Sequence, residues 1–428
     1  MYYADLQLQS HYSGGTSKSM TPEILVDISI KKGLNVIGTS DIQHKEWREE
    51  LKSFIKEYGY LDELKVVYKE KEIFFVPQTE IEIKKTHYLV FLPSLEEVEE
   101  FENFLKGKFK TYEGRPVLDL NERELEYLIR KLNGLFGPAH AFTPYTGYYA
   151  HYDSIIANFD FLELGLSSDT FFASLIDELN KKKIPFISNS DAHSPYPHRI
   201  GREFNCFRGK YSFENLSKFK IEFNAGLNPK EGKYHMSACA KCKTRFYYED
   251  AKKFNWKCPL CGKTIKKGVR DRILELAKLS EKSKEEIEEL LEKKWKENNR
   301  PHYYHILPLT EILSYIRKKG VTTKTVLDEY NKIIEEFGSE IKLLLETPIE
   351  KIKNYDENLA EAIKLMREDK ILYVPGGAGD YGRYFIPFSK EDYKKYEEEL
   401  KKVIFKEEKK KSNISYWLKN NNHFASSK

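Results

Sequence analysis

Five times in the N-terminal half, an apolar run gives way to a carboxylate or an imidazole: at Asp41 with His44, at Glu80, at His87, at His140, and at Asp191 with His193. The last case is the sharpest. Ser190-Asp191-Ala192-His193 follows Ile184-Pro185-Phe186-Ile187-Ser188, and the period of two in a strand turns Asp191 and His193 to one face. Strands that all finish in oxygen and nitrogen ligands must bring them to one mouth, so this pattern restricts the fold more tightly than composition does.

The intervening sequence fits that demand. Strands are expected at Asn35 to Gly38, Ile73 to Val76, Tyr88 to Leu92, Phe161 to Leu166 and Ile184 to Ser188. Pro22 to Lys32 and Glu122 to Leu132 carry apolar residues at helical spacing. Thr21-Pro22-Glu23 is a helix start, with Pro where its missing N–H costs nothing. Repeated strand–helix units make the fold class α/β, a parallel sheet or barrel with its site at the carboxyl ends of the strands.

A second pattern begins past residue 228. Cys239 and Cys242 form one CxxC pair and Cys258 and Cys261 another, fifteen residues on, the spacing of a zinc ribbon in which two knuckles supply four thiolates. Four thiolates leave no open position, so the zinc is expected to be structural, holding a segment too small for its own core. Cys206 stands outside the pattern and reads as a small buried apolar residue. Between Lys230 and Arg272 thirteen Lys and Arg face four Asp and Glu, whereas the whole chain of 428 residues has a formal charge of +4. Lys241, Lys243, Arg245, Lys252, Lys253 and Lys257 alternate there with Phe246, Tyr247, Tyr248 and Trp256, a mixture suited to phosphates and unstacked bases. A solvated lysine-rich face is the plain alternative.

Further on, Ser283-Lys284-Glu285-Glu286 is a capping box ahead of an apolar stripe at Ile287, Leu290, Leu291 and Trp295. Pro375-Gly376-Gly377-Ala378-Gly379-Asp380-Tyr381-Gly382 is a Gly-rich turn in which Gly376, Gly377 and Gly379 allow close backbone approach; an ordinary loop is the alternative. The expected division is a barrel domain at 1–228, a basic four-cysteine zinc module at 229–272, a mainly helical DNA-binding region at 273–400 and a basic tail at 401–428. No apolar run reaches the roughly 18 residues of a membrane span, and Met1-Tyr2-Tyr3-Ala4-Asp5 has no signal-peptide character. A cytoplasmic protein is expected, a compartment in which paired cysteines serve metals rather than disulfides.

Together, Asp5 to Ser10, Gly38-Thr39-Ser40-Asp41, Thr79-Glu80, His87, His140 and Ser190-Asp191-Ala192-His193 resemble the PHP (polymerase and histidinol phosphatase) domain, a distorted βα barrel of metal-dependent phosphoesterases. With the four cysteines, Lys266 to Arg272 and the Pro375-Gly376-Gly377 turn, nearly the whole chain resembles the endonuclease Q family. The resemblance implies an endonuclease that nicks DNA on the 5′ side of uracil, hypoxanthine, xanthine or an abasic site, leaving 3′-hydroxyl and 5′-phosphate ends. It implies metal ligands (Mg, Mn or Zn) at Asp41, His44, Glu80, His87, His140, Asp191 and His193, with Glu80, Asp191 and His193 catalytic, and DNA contacts from the basic module, Gly376, Gly377 and Tyr381. A base of that kind must leave the stack to be read, in a pocket expected between the basic segment and the Gly-rich turn.

The chain departs from the family at its opening motif. Gln7 and Gln9 stand where the family has the two imidazoles of Asp-Leu-His-x-His. A Gln carbonyl suits a hard cation and is a poor zinc ligand, so at least one metal position is expected to be weakened or lost. Three functions stay open: a damage-specific endonuclease, a lesion-binding protein that does not cut, and a small-molecule phosphoesterase using the barrel alone. In the tail, Lys411, Ile414, Trp417 and Leu418 distantly resemble the peptide by which repair enzymes dock on the sliding clamp, implying weak clamp binding at 411–418.

Overall fold

The computed structural model describes residues 1–111 and 115–406; the clamp-like segment 411–418 lies outside the described residues. The strands Tyr2–Asp5, Val36–Gly38 and Lys71–Val76 run parallel and side by side. The chain then turns through the hairpin Gln78–Ile83 and Thr86–Phe91, and Leu135–Pro138 adds to it antiparallel. Leu162–Glu163 pairs parallel with Phe186–Ile187, and the parallel bridge Leu8–Ala192 brings the last strand back beside the first. The result is a closed, distorted βα barrel. Phe204–Phe207 and Ile221–Gly226 extend the sheet outward from the first strand.

The helix Pro22–Lys32 begins at the predicted Pro and ends at Gly33, whose φ of 93° lets its N–H reach back to Ile30 and Ser29. Helix Glu122–Lys131 carries a full capping box from Asn121 and Glu124. The predicted strands are all present, two of them longer (Lys71–Val76 and Thr86–Phe91) and three shorter, Phe161 to Leu166 contracting to Leu162–Glu163.

The four cysteines lie in a small three-stranded sheet of Ser237–Cys239, Arg245–Phe246 and Ile265–Lys266, with the helix Tyr248–Lys253 against it. Its own core is little more than Phe246, Ala251 and Ile265 around Cys239 and Cys258. Cys206 is buried in the barrel sheet, as expected. Beyond the module come the helices Lys284–Glu297, Leu309–Arg317, Lys324–Phe337, Ile349–Tyr355, Glu357–Arg367 and Lys390–Val403, and the hairpin Leu372–Val374 with Arg383–Phe385. Ser283 forms the predicted capping box with Glu286. None of the described helices is long and apolar enough to cross a membrane.

The helical region does not stand apart from the barrel. Strand His302–His305 joins the barrel sheet parallel to Ile221–Gly226, and one buried apolar cluster runs from Trp47 and Tyr148 to Tyr330 and Leu344. Lys32, fully buried, meets Glu340 at 2.6 Å and donates to Pro197 O at 2.8 Å, while Glu340 also accepts from Leu309 N at 3.0 Å. Both bonds to Glu340 fall on Oε1, and removing either partner would leave the other as an uncompensated buried charge.

His305 is a second tie, between Asp169 of the barrel at 3.0 Å and Asp369 of the helical region at 3.3 Å. Burial alone would lower its pKa, but the two carboxylates outweigh that and raise it to about 9. A His raised above its unfolded value of roughly 6.5 contributes stability that is complete below that pH and is lost as pH rises through the folded value. Urea unfolding should therefore show the parent losing more stability between about pH 6 and about pH 9.5 than His305→Gln does; equal losses would contradict this assignment.

Candidate metal centre

Glu80 and His87 belong to the two strands of one antiparallel hairpin, in which Glu82 opposes His87 and Glu80 opposes Leu89. Alternation puts Glu80, Glu82 and His87 on one face. This corrects the sequence reading, in which both residues closed parallel strands. His140 follows Leu135–Pro138 and completes the group. His87 Nδ1 lies 2.7 Å from Glu80 Oε1, and His140 Nε2 lies 3.4 Å from that oxygen and 3.3 Å from His87 Nδ1. Burial would raise the Glu80 carboxyl, but the bonds from His140 and His87 hold it well below the usual range, and Glu80 in turn raises His140 to about 9 against its own burial.

Asp191 and His193 stand at the rim, with His193 Nδ1 2.8 Å from Asp191 O and 3.8 Å from Asp191 Oδ1. Since a carbonyl only accepts, that ring nitrogen carries the proton. Ser40, His140 and Asp191 all have φ between 30° and 63°, a left-handed conformation that costs non-glycine residues energy and gathers at functional sites.

Two expected ligands, Asp41 and His44, are not part of that three-residue group. Asp41 is buried beside the cluster, but its Oδ2 accepts from Ser10 N at 3.0 Å, from Ser10 Oγ at 2.6 Å and from Ser13 Oγ. Burial raises its carboxyl, which the serines only partly offset and the Glu80 charge reinforces. His44 sits before the helix Lys45–Tyr58, paired with Glu46 at 3.3 Å and stacked on Tyr12. Its ring is thus outside the convergent group. Sequence reasoning missed Glu163, which ends a two-residue strand and accepts from Asn189 Nδ2 at 2.7 Å and His140 N at 2.6 Å. Burial pushes its carboxyl up to about 8. A single acidic residue inside Phe-Leu-Glu-Leu was the available signal.

The glutamines define what the centre can hold. Gln9 Nε2 donates to Glu80 Oε2 at 2.9 Å and to Asp191 Oδ1 at 3.0 Å. Gln7, its amide oriented to satisfy both groups, donates to the two oxygens of Glu163 at 2.7 and 2.6 Å. An amide nitrogen offers hydrogens and no lone pair to a metal. Glu80, His87 and His140 each bring a ligand atom within 4.8 Å of the others and fit one ion. The Gln7 and Gln9 positions do not fit further ions. The centre opens into a cavity of about 360 Å³ walled by Arg115, Arg202, Lys233 and Tyr381 among others.

The second group, of four ligands, is built as predicted, with Cys239, Cys242, Cys258 and Cys261 converging and Cys239 Sγ 3.6 Å from Cys261 Sγ. Several expected DNA contacts are used inside the chain. Arg245 is buried and donates from Nε to Pro375 O at 3.1 Å; it ties the module to the Gly-rich turn and cannot present a free guanidinium. The N–H groups of Gly376, Gly377 and Gly379 donate to Lys230 O, Asp380 O and Lys233 O, so they are not open to phosphate. A Cβ on Gly376 would come within 2.4 Å of Gly232 O, which accounts for the glycine. Lys241 is exposed, Lys243 reaches Asp380 at 2.9 Å, Lys252 pairs with Glu281, and Lys253 lies by the Phe254 ring. Tyr381 is exposed at the mouth.

A closed βα barrel with a hairpin-borne Glu–His–His group and an appended four-cysteine module defines a PHP-type barrel protein. The chain is similar to the crystal structure of the lesion-specific endonuclease PfuEndoQ from Pyrococcus furiosus, at 40% identity and a TM-score of 0.79, covering 92% of this chain and 98% of that one. It is similar also to an endonuclease Q in complex with a 27-mer duplex substrate carrying an abasic lesion at the active site, at 41% identity and a TM-score of 0.78, covering 91% and 97%. The chain belongs to the endonuclease Q family. The uncharacterized protein YqxK of Bacillus subtilis is 30% identical over 86% of this chain and 93% of its own. The uncharacterized protein MJ0043 of Methanocaldococcus jannaschii is 44% identical over 61% of this chain, which spans 33% of that protein's length. The family model of the MJ0043 C-terminal domain matches residues 308–370.

Titration of the metal-stripped protein with Mn²⁺, a hard ion that avoids thiolates, should give one barrel ion per chain by electron paramagnetic resonance, lost in His140→Ala. Gln9→His should add capacity; two ions in the parent would show that the Gln9 amide does not block a position.

Proposed function

We propose that this chain finds deaminated or abasic nucleotides in DNA and nicks the strand on their 5′ side. The observation that carries the reading is the convergence of Glu80, His87 and His140, with Asp191 and His193 at the rim, beside a cavity lined with cations and aromatic rings. It draws support from relatives aligned over nine-tenths of the chain. In this reading residues 1–228 carry the chemistry, while 229–272 and 273–400 grip DNA. A divalent ion on Glu80, His87 and His140 supplies Lewis-acid charge for a phosphodiester. Arg115, 3.5 Å from Glu80, and Lys233 neutralise the approaching phosphate. His193 holds one ring proton on Asp191 O and keeps its other nitrogen to carry a proton at the leaving oxygen. Asp191 orients it.

The four-cysteine group takes a structural zinc ion in this reading, since its tiny core cannot fold alone. Cys258→Ser should lose that zinc and unfold the module locally, seen as reduced metal content and new proteolytic cleavage within 229–272. Retention of zinc in that variant would remove the claim.

One observation favours a second reading, a lesion binder that does not cut: Gln9 spans Glu80 and Asp191, at a position where the resemblance implies an imidazole. Duplexes with one uracil, hypoxanthine or abasic site, incubated with Mg²⁺, Mn²⁺ or Zn²⁺, separate the two. Nicking should occur 5′ of the lesion and fall at least roughly 100-fold in Asp191→Asn with lesion binding kept. Lesion binding without nicking under any ion would establish the second reading, and affinity independent of both lesion and salt would refute both.

A further inference from the structure

At the end of the barrel away from the metal centre lies a basic surface that the chemistry of the mouth does not use. Strands Tyr2–Asp5, Phe186–Ile187, Ile221–Gly226 and His302–His305 all run toward the mouth. The last two are parallel, Phe204–Phe207 is antiparallel to both the first and the third, and Leu8 and Ala192 bridge in parallel. The connections that enter these strands therefore share the opposite face. On the connections 181–184, 208–222 and 299–302, eight Lys and Arg stand against two Glu, in a chain whose formal charge is only +4.

The fold joins the three connections into one surface. Arg300 donates to Asn180 Oδ1 at 3.1 Å, to Ile184 O at 2.6 Å and to Leu179 O at 2.8 Å, and its guanidinium lies 4.0 Å from the centre of the Phe186 ring. It is spent as a strut between 299–302 and the turn before Phe186–Ile187. The connection 208–222 meets 299–302 across an open trough of about 700 Å³, with Arg208, Asn215 and Lys220 on one side and Asn299, Arg300 and His302 on the other. Both carboxylates are already paired, Glu222 with Arg208 and Glu214 with Lys218 at 2.6 Å. Lys181, Lys182, Lys183, Lys210 and Lys220 are all exposed, and none forms an ion pair within 4 Å among the described residues. These connections expose no large apolar side chain, so they lack the anchor by which a peripheral protein enters a lipid surface. Unpaired lysines around a polar trough suit a solvated polyanion.

We infer that this face holds a second segment of duplex DNA by its phosphates while the mouth holds the first. The inference rests on the DNA reading of the mouth and adds a second site to it. Lysine ammonium groups on flexible stems meet phosphates as point charges and carry no information about the bases. Each phosphate neutralised releases condensed counterions, so five such contacts steepen the fall of log affinity with log salt by up to about 4.5. With two grips the chain takes hold of a second segment before it releases the first, because the second contact is made at the effective concentration set by the tether.

The test loads the full chain, with zinc and no other divalent ion, with a saturating short duplex carrying one abasic site, and then titrates a fluorescent undamaged duplex followed by anisotropy. The parent should bind the second duplex in a salt-dependent way, with two duplexes per chain counted by sedimentation equilibrium. The combined variant Lys181→Glu, Lys182→Glu and Lys183→Glu should weaken the second duplex at least roughly tenfold and leave the abasic duplex unchanged. Lys210→Glu with Lys220→Glu should do the same from the connection 208–222. One duplex per chain in the parent, or undiminished second binding in both variants, overturns the inference, as does capture of phosphatidylserine vesicles without capture of the second duplex. Failure of the lesion reading shows separately, as equal affinity of the mouth for abasic and undamaged duplexes; two duplexes per chain in the parent and one in the variants then still supports the second site.

Discussion

The barrel closes where backbone pairing is sparse, and buried amides and carboxylates make the closure. Between the first strand and the segment 188–193, Asn205 Nδ2 donates to Ala4 O, Ser188 O and Asn189 Oδ1, and Asn189 Oδ1 also accepts from Leu6 N. Asp5 takes Ser190 N and Gly201 N at 3.0 Å each and Ser190 Oγ at 2.5 Å. Burial lifts the Asp5 carboxyl to about 6, less far than it would without these donors. Every member of the network is buried, so losing one strands its partners at roughly 1–3 kcal/mol each. The rest of the site hangs on it, because the same segment carries Asp191 and His193 and the same strand carries Gln7 and Gln9 into the mouth.

The charge balance of the mouth follows from that placement. Glu80, Asp191 and Glu163 are brought close in a region of low dielectric, where like charges repel strongly. Two neutral amides and the His140 imidazole answer them: Gln9 spans Glu80 and Asp191, Gln7 covers Glu163, and His140 sits on Glu80. Each Gln thereby does by hydrogen bonding what a cation does by charge. It is weaker and directional, and it cannot polarise a phosphate oxygen as an ion can. The hydrogen-bonded cluster is thus self-consistent with an amide, and no imidazole, at positions 7 and 9.

What was legible in the sequence was whatever a local pattern specifies. The helix Pro22–Lys32, the Ser283 capping box and the four-cysteine spacing each depend on neighbours within a few residues. Glu80, His87 and His140 were legible as ligands, although the hairpin that joins the first two was not, since Glu-Ile-Lys-Lys-Thr-His gives no strong turn signal between its strands. Asp41 and His44 satisfied the same pattern as Glu80 and were diverted by Ser10, Ser13 and Tyr12, partners distant in sequence. Arg245 illustrates the converse: a basic stretch reads as uniformly exposed, yet packing of the module on the Pro375 turn consumes one of its cations. Glu163 was invisible because an isolated acidic residue gains meaning only from burial.

A second cavity of about 330 Å³ adjoins the metal-ligand cavity and shares Arg202, Leu166 and Tyr381 with it, and Arg202 is bonded to the carbonyl of Ser190 immediately before Asp191. In the DNA reading this adjacency has an energetic consequence. A nucleotide gripped through Arg202 has its sugar and phosphate held near the mouth, so that contacts made away from the scissile bond restrict the reacting group. Binding energy is then expressed as positioning at the phosphate. In the one-ion reading, positioning has to carry a larger share of any rate enhancement. In that reading, grip on the nucleotide and chemistry at the backbone act through the same short stretch from Asp191 to Arg202.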